Sequence, residues 1–165
     1  MKAIRLVAAL SLVLLAACSK DTPVAPAADS APDSAAVTLY FSAAEGLNPG
    51  PGGTPAPVRV RLYELKNSAA FARADYFALA ERAQATLGAD LIDQDEVLLQ
   101  PGGQLRLERP LDPATRHIGL VVGYREIDQA QWRSVLPVPP RDYQISLDVR
   151  AVRSAVATPQ PEPAR

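Results

Sequence analysis

The chain has 165 residues, with 17 Lys and Arg against 18 Asp and Glu and a formal charge of −1. That balance leaves no clustered basic face of the kind nucleic acid requires, and a single Cys with a single His excludes an intramolecular disulfide and a Cys/His zinc site. The length suits one domain, and no apolar stretch after residue 18 approaches the roughly 20 residues that cross a bilayer.

The N-terminus reads as an export signal. Lys2 and Arg5 form a short basic region, Leu6 to Leu15 is apolar except for Ser11, and Ala16 and Ala17 precede Cys18. Leu15-Ala16-Ala17-Cys18 resembles a bacterial lipobox, in which the Cys is acylated and the signal is cut before it. Residues 1–17 are thus expected to be a signal peptide and Cys18 a lipidated N-terminus. Of the 17 basic residues, Lys2 and Arg5 leave with the signal, so the mature chain holds 15 against 18 acidic. Several acyl chains on one residue, each CH₂ contributing about 0.8 kcal/mol, make a firm anchor. Ser19 in place of Asp implies, by resemblance to enterobacterial lipoproteins, sorting to the outer membrane.

Residues 18–36 comprise the lipidated Cys and a linker of Ala, Pro, Ser and Asp, which lacks the apolar surface that offsets ordering entropy. Residues 153–165 end in Thr-Pro-Gln-Pro-Glu-Pro-Ala-Arg and read as a disordered tail. The folded domain is expected over 37–152.

Val37 to Phe41 is β-rich and predicts a first strand. Ala43 to Pro57, with Pro49-Gly50-Pro51-Gly52-Gly53 inside it, predicts a loop of the length that is often functional. Val58 to Leu65 alternates with period 2, placing Val58, Val60, Leu62 and Glu64 on one face. Arg59 and Arg61, on the other, are either an anion stripe or a solvated face. Residues 68–86 predict a helical insert: Asp75 is a candidate N-cap, Tyr76, Leu79, Ala80 and Ala83 share a face, and Gly88 ends the segment.

Glu96–Gln100 and Gln104–Arg109 flank Pro101-Gly102-Gly103, which suits a type II turn, whereas short hairpins prefer primed turns. Ile118 to Tyr124 predicts a central strand in which Gly119 and Gly123 mark bulges or close backbone approach. Ile127–Gln131 predicts one helical turn, Arg133–Val138 a short strand stopped by Pro139-Pro140, and Tyr143–Arg150 an alternating strand. Seven or so short strands imply a mainly β, two-sheet β-sandwich.

No catalytic set is present. His117 has no Gly-x-Ser-x-Gly elbow to serve. Asp90, Asp93, Asp95 and Glu96 lack an EF-hand register and read as a solvated loop. Gly50 to Gly53 lacks the Lys-Ser/Thr of a phosphate loop. Trp132 is either a partner anchor or core.

Gly46-Leu47-Asn48-Pro49, Pro57 to Lys66, Phe71 to Leu79, Leu87 to Asp90, Leu99 to Gly102, Ile118 to Arg125 and Trp132-Arg133 occur in an order that resembles the type VI secretion system lipoprotein family, TssJ. The resemblance spans about residues 39–150. It implies a transthyretin-like sandwich with a helical insert and a non-enzymatic role without cofactor beyond the lipid on Cys18. It further implies a place as outer-membrane anchor of the secretion system's membrane complex. The implied partner is the periplasmic domain of the inner-membrane component TssM, held by the loop between the first two strands. On this sequence the implied contact residues are Gly46, Leu47, Asn48, Pro49 and Gly50, with Leu47 as an apolar anchor unless it and Pro49 pack back onto their own sandwich. An envelope lipoprotein that binds a small ligand or carbohydrate between its sheets is the alternative, because a fold hosts many functions.

Overall fold

The computed structural model describes residues 36–158. The expected signal peptide (1–17), Cys18, the expected linker as far as residue 35 and residues 159–165 lie outside the described residues.

Eight strands form two four-stranded sheets. β1 (Ala36–Ala43), β4 (Gln104–Pro110), β7 (Asp142–Leu147) and β8 (Val152–Val156) make the first, in the order β4-β1-β7-β8. β2 (Val58–Leu65), β3 (Leu91–Leu99), β5 (His117–Val122) and β6 (Arg133–Pro137) make the second, in the order β3-β2-β5-β6. All pairings are antiparallel except β1 with β7. The two-sheet sandwich expected from the turn spacing is therefore present.

Two corrections follow from pairing. Val152–Val156 is β8, hydrogen-bonded to β7, so the first residues of the expected tail are strand. Short apolar content hid it: only Val152 is buried. The acidic run Asp93, Asp95 and Glu96 is not a loop but part of β3, an edge strand whose charged side chains face solvent. Charge along an edge discourages pairing with other chains. The turn at Pro101–Gly103 likewise joins no hairpin. β3 and β4 lie in different sheets, so this turn carries the chain across the sandwich, with Gly102 at φ 71°.

Val37, Leu39 and Phe41 of β1, Val58, Val60 and Leu62 of β2, Ile118, Leu120 and Val122 of β5, and Tyr143, Ile145 and Leu147 of β7 fill the space between the sheets. The outer face of β2 is covered too. Tyr63 and Leu65 pack with Phe71, Leu79, Ala83, Leu87 and Val121 beneath the helices. The insert is α1 (Ala69–Arg73) and α2 (Tyr76–Leu87). Asp75 caps α2 through a 2.8 Å bond from the Ala78 amide, and Gly88, at φ 53°, ends it. α2 bends at Arg82, and two hydroxyls serve carbonyls near the bend: Tyr63 donates to Leu79 O at 2.9 Å, Thr86 to Ala78 O at 3.0 Å. Kinks of this kind follow from groups inserted into the helical ladder.

Gly119 is a close-approach glycine. A Cβ there would come 2.6 Å from the Phe71 ring, so the missing side chain seats α1 on the sheet. On the open side of the sandwich Arg109 of β4 reaches across to β2 and β3. Its Nε donates to Glu64 at 2.7 Å, and its two terminal nitrogens donate to Asp95 at 3.0 Å and to Asp93. Glu64 is buried and also accepts from Thr115 Oγ1 at 2.8 Å and the Asp112 amide at 3.2 Å. Burial works against the Arg109 charge, yet Glu64, Asp93 and Asp95 outweigh it and hold the guanidinium pKa above its ordinary value.

Candidate functional site: the loop between β1 and β2

The loop is held at its base and free at its tip. Backbone bonds run from Ala44 N to Leu147 O at 2.8 Å, from Asn48 N to Val149 O at 3.1 Å, and from Ala56 N to Leu47 O at 3.0 Å. At the tip, Gly53 N donates to Gly50 O at 2.9 Å and Gly50 N to Thr54 O at 3.0 Å. Pro51 sits at i+1 of this turn, where its fixed φ is preorganised. Residues 51–55 are exposed.

Asn48 is the keystone of the base. It adopts φ 48°, a left-handed conformation that Asn tolerates better than other side chains. Its Nδ2 donates to Pro57 O at 3.0 Å, and its Oδ1 accepts from the Arg125 amide at 2.8 Å. Asn48 is 4% exposed, so both bonds are shielded from water. It thereby ties the β1–β2 loop to the start of β2, to the segment after β5 and, through its amide, to the turn after β7.

Of the five contact residues implied by the resemblance, Leu47 is 0% exposed and belongs to the main core. Of the two alternatives for Leu47, packing back onto its own sandwich is the one seen: the side chain locks the loop there. Gly46 lies against Val149, its Cα side 3.6 Å from Cγ2 for an added Cβ. Pro49 and Gly50 are half-buried and lead into the tip. The five residues form one contiguous base, with Pro51 to Pro55 above it presenting the surface.

Four of the seven strand connections meet at this pole. Ala44 O accepts from Gly102 N of the β3–β4 turn at 3.1 Å, Arg125 belongs to the β5–β6 connection, and Val149 to the β7–β8 turn. Arg125 and Val149 escaped the sequence reading as parts of this site, because only pairing across the sheets brings them to the loop.

The other sequence candidates do not assemble into chemistry. Among the described residues no group of three or more His, Cys, Asp or Glu is placed to hold a metal. Arg59 and Arg61 pair with Glu96 at 3.4 and 3.6 Å across β2 and β3, which settles them as a solvated, ion-paired face. Trp132 is half-buried, packs against both clusters and meets Tyr76 edge-on at 5.5 Å, so it is core. Side chains occupy the space between the sheets where a carbohydrate would have to sit. The larger grooves, of about 710 and 880 Å³, lie outside, between α2 and β3 and on the outer face of the first sheet. No helix among the described residues is long and apolar enough to cross a membrane.

The model of the type VI secretion lipoprotein family (VasD, EvfM, TssJ) matches residues 35–153. The crystal structure of the T6SS lipoprotein TssJ1 from Pseudomonas aeruginosa is 46% identical over 77% of this chain and 99% of its own, with a TM-score of 0.71. Serratia marcescens Lip, described as a membrane bound component of the type VI secretion system, is 28% identical over 73% of this chain and 96% of its own, with a TM-score of 0.70. A chain in a structure described as the T6SS protein TssM C-terminal domain from EAEC is 32% identical over 74% of this chain and 98% of its own, with a TM-score of 0.65. No curated protein sequence matches. The matched span covers the described sandwich almost end to end, and the chain therefore belongs to the type VI secretion lipoprotein family, a structural component of the secretion system and not an enzyme.

Proposed function

We propose that this lipoprotein is held in the outer membrane by acyl chains on Cys18 and docks the periplasmic domain of TssM through the loop between β1 and β2. One observation carries the reading: the loop stands at the opposite pole of the sandwich from the end that leads back to Cys18. β1 begins at Ala36 and delivers the chain to the loop after Ala43, eight residues or roughly 27 Å later. A sandwich that starts its first strand at one pole and carries a braced lip at the other suits a protein that joins a membrane anchor to a partner. A solved structure described as a type VI membrane complex holds a chain 32% identical to this one, with a TM-score of 0.68, which supports assembly in a complex of that kind.

The base of the lip is preordered by Asn48 and Leu47, and the prolines of the tip restrict its free states, so little order is lost on docking. Gly46, Leu47 and Asn48 then position the lip, and Pro49, Gly50 and the tip make the contact.

Replacing residues 51–54 by Ser-Asn-Gly-Ser spares the buried base. It should abolish co-purification with the TssM periplasmic domain while the thermal midpoint holds. Unchanged capture would refute the loop assignment. Cys18→Ser should move the protein from the outer-membrane fraction to the soluble periplasm; persistence in the membrane would refute the anchor.

A further inference from the structure

We infer that Arg125 is the charge-selective contact of the docking lip, its guanidinium pairing with a carboxylate on the partner protein. The inference rests on the docking role proposed for the loop and names the chemistry that the loop's flank recognises. Three observations carry it.

First, Arg125 is fixed to the lip. Its backbone amide donates to Asn48 at 2.8 Å, which sets where the side chain starts. Its guanidinium then lies over Gly50: a Cβ at that position would come 2.5 Å from Nη1. The absent side chain at Gly50 leaves the space in which the guanidinium rests.

Second, the charge is unspent. Arg125 is exposed, and among the described residues it has no carboxylate within ion-pair distance. Two acids on its side of the pole are engaged elsewhere: Glu126 pairs with Arg150 at 2.5 Å, and Asp148 with Arg153 at 3.9 Å. On β2, Arg59 is matched by Glu96.

Third, the pole is polarised. The strand order puts the β3–β4 turn on one flank of the loop and the β5–β6 connection on the other. Glu45 lies against the Gly102 turn on the first flank, and Arg125 stands on the second. A guanidinium presented beside a rigid lip fits a carboxylate with two parallel bonds, a geometry that fixes register as well as attraction.

The test measures binding of the full lipidated chain, in detergent, to the TssM periplasmic domain at low and high sodium chloride. Arg125→Gln should weaken binding about tenfold at low salt and flatten its salt dependence, since exposed interfacial charges act mainly through association rate and screening. Arg125→Glu should weaken it further, and Arg125→Lys should restore only part. All three thermal midpoints should match the parent, because the bond to Asn48 uses the backbone amide and survives every substitution. If Arg125→Glu binds like the parent while the 51–54 replacement does not bind, the charge assignment is overturned and the docking loop stands. If neither change weakens binding, both fall.

Discussion

Asn48 accepts a 2.8 Å hydrogen bond from the amide of Arg125, 77 residues further along the chain. With the bond from Asn48 Nδ2 to Pro57 O, one buried side chain adds two ties to a loop already held by backbone bonds and by buried Leu47. The lip is a part of the fold and not an appendage to it, and its rigidity is open to measurement.

Asn48→Ala removes both side-chain bonds and also strains a left-handed backbone, whereas Asn48→Gly removes the bonds alone. The Ala variant should lose roughly 2–4 kcal/mol of stability and the Gly variant roughly 1 kcal/mol less than that. Urea titration gives the ranking. Amide exchange at Arg125 should accelerate in both variants, and protection equal to the parent would mean the bond does not hold the lip.

Arg109→Ala leaves Glu64 buried with its charge unmatched and should destabilise by about 3–5 kcal/mol. Adding Glu64→Leu should recover part of the loss, because both charges are then gone. A double-mutant cycle by chemical denaturation reads the coupling. Strict additivity would show that the two sheets are not clasped through this pair.

Gly119→Ala drives a Cβ into the Phe71 ring, with no far end of a flexible chain to yield. It should cost about 1–3 kcal/mol and loosen α1. Combining it with Phe71→Leu should lower the penalty of the second change, as relief of a shared clash requires.

Three of the five tyrosines donate their hydroxyls to backbone carbonyls: Tyr63 to Leu79, Tyr124 to Asp148 and Tyr143 to Pro137. Burial pushes the Tyr63 phenol from 10.0 up to about 12 and raises Tyr124 and Tyr143 in the same direction. A pKa raised by folding gives stability that is complete below the unfolded value and lost as pH climbs through the folded one. Stability should therefore be insensitive to these groups below about pH 10 and fall from there towards pH 12. Tyrosinate absorbance should show a late-titrating class that merges with the early class once the fold is lost. A single class near the ordinary value in the native protein would contradict the burial of these phenols.

Strands whose two faces differ were plain in the sequence. Val58–Leu62 and Tyr143–Leu147 alternate because one side meets the core, and both lie in strands, though the second stops three residues short of the expected Arg150. The helical insert announced itself through Asp75 and Gly88, which act locally. What escaped depends on partners distant in sequence. The acidic first half of β3 looked like a loop because an edge strand with charged faces has no periodic apolar signal. β8 looked like tail because it is held chiefly by ladder bonds to β7. Glu64, set among apolar residues on β2, reads as an oddity until Arg109 arrives from the other sheet. The loop was visible through its prolines and glycines, but the division between buried Leu47 and exposed Pro51 was not, since composition cannot say which way a turn leans.

β1 stands between β4 and β7, so it gains its first neighbour only when β4 has been made and its second only when β7 has. In the second sheet β2 pairs with β3 and β5 with β6, each with the strand next in chain order, so that sheet can begin to assemble earlier. Ordering imposed by such distant pairing is slow. The first sheet therefore cannot close until Asp142 and the residues after it have been made. The strand that anchors the finished sheet is thus also its timing device.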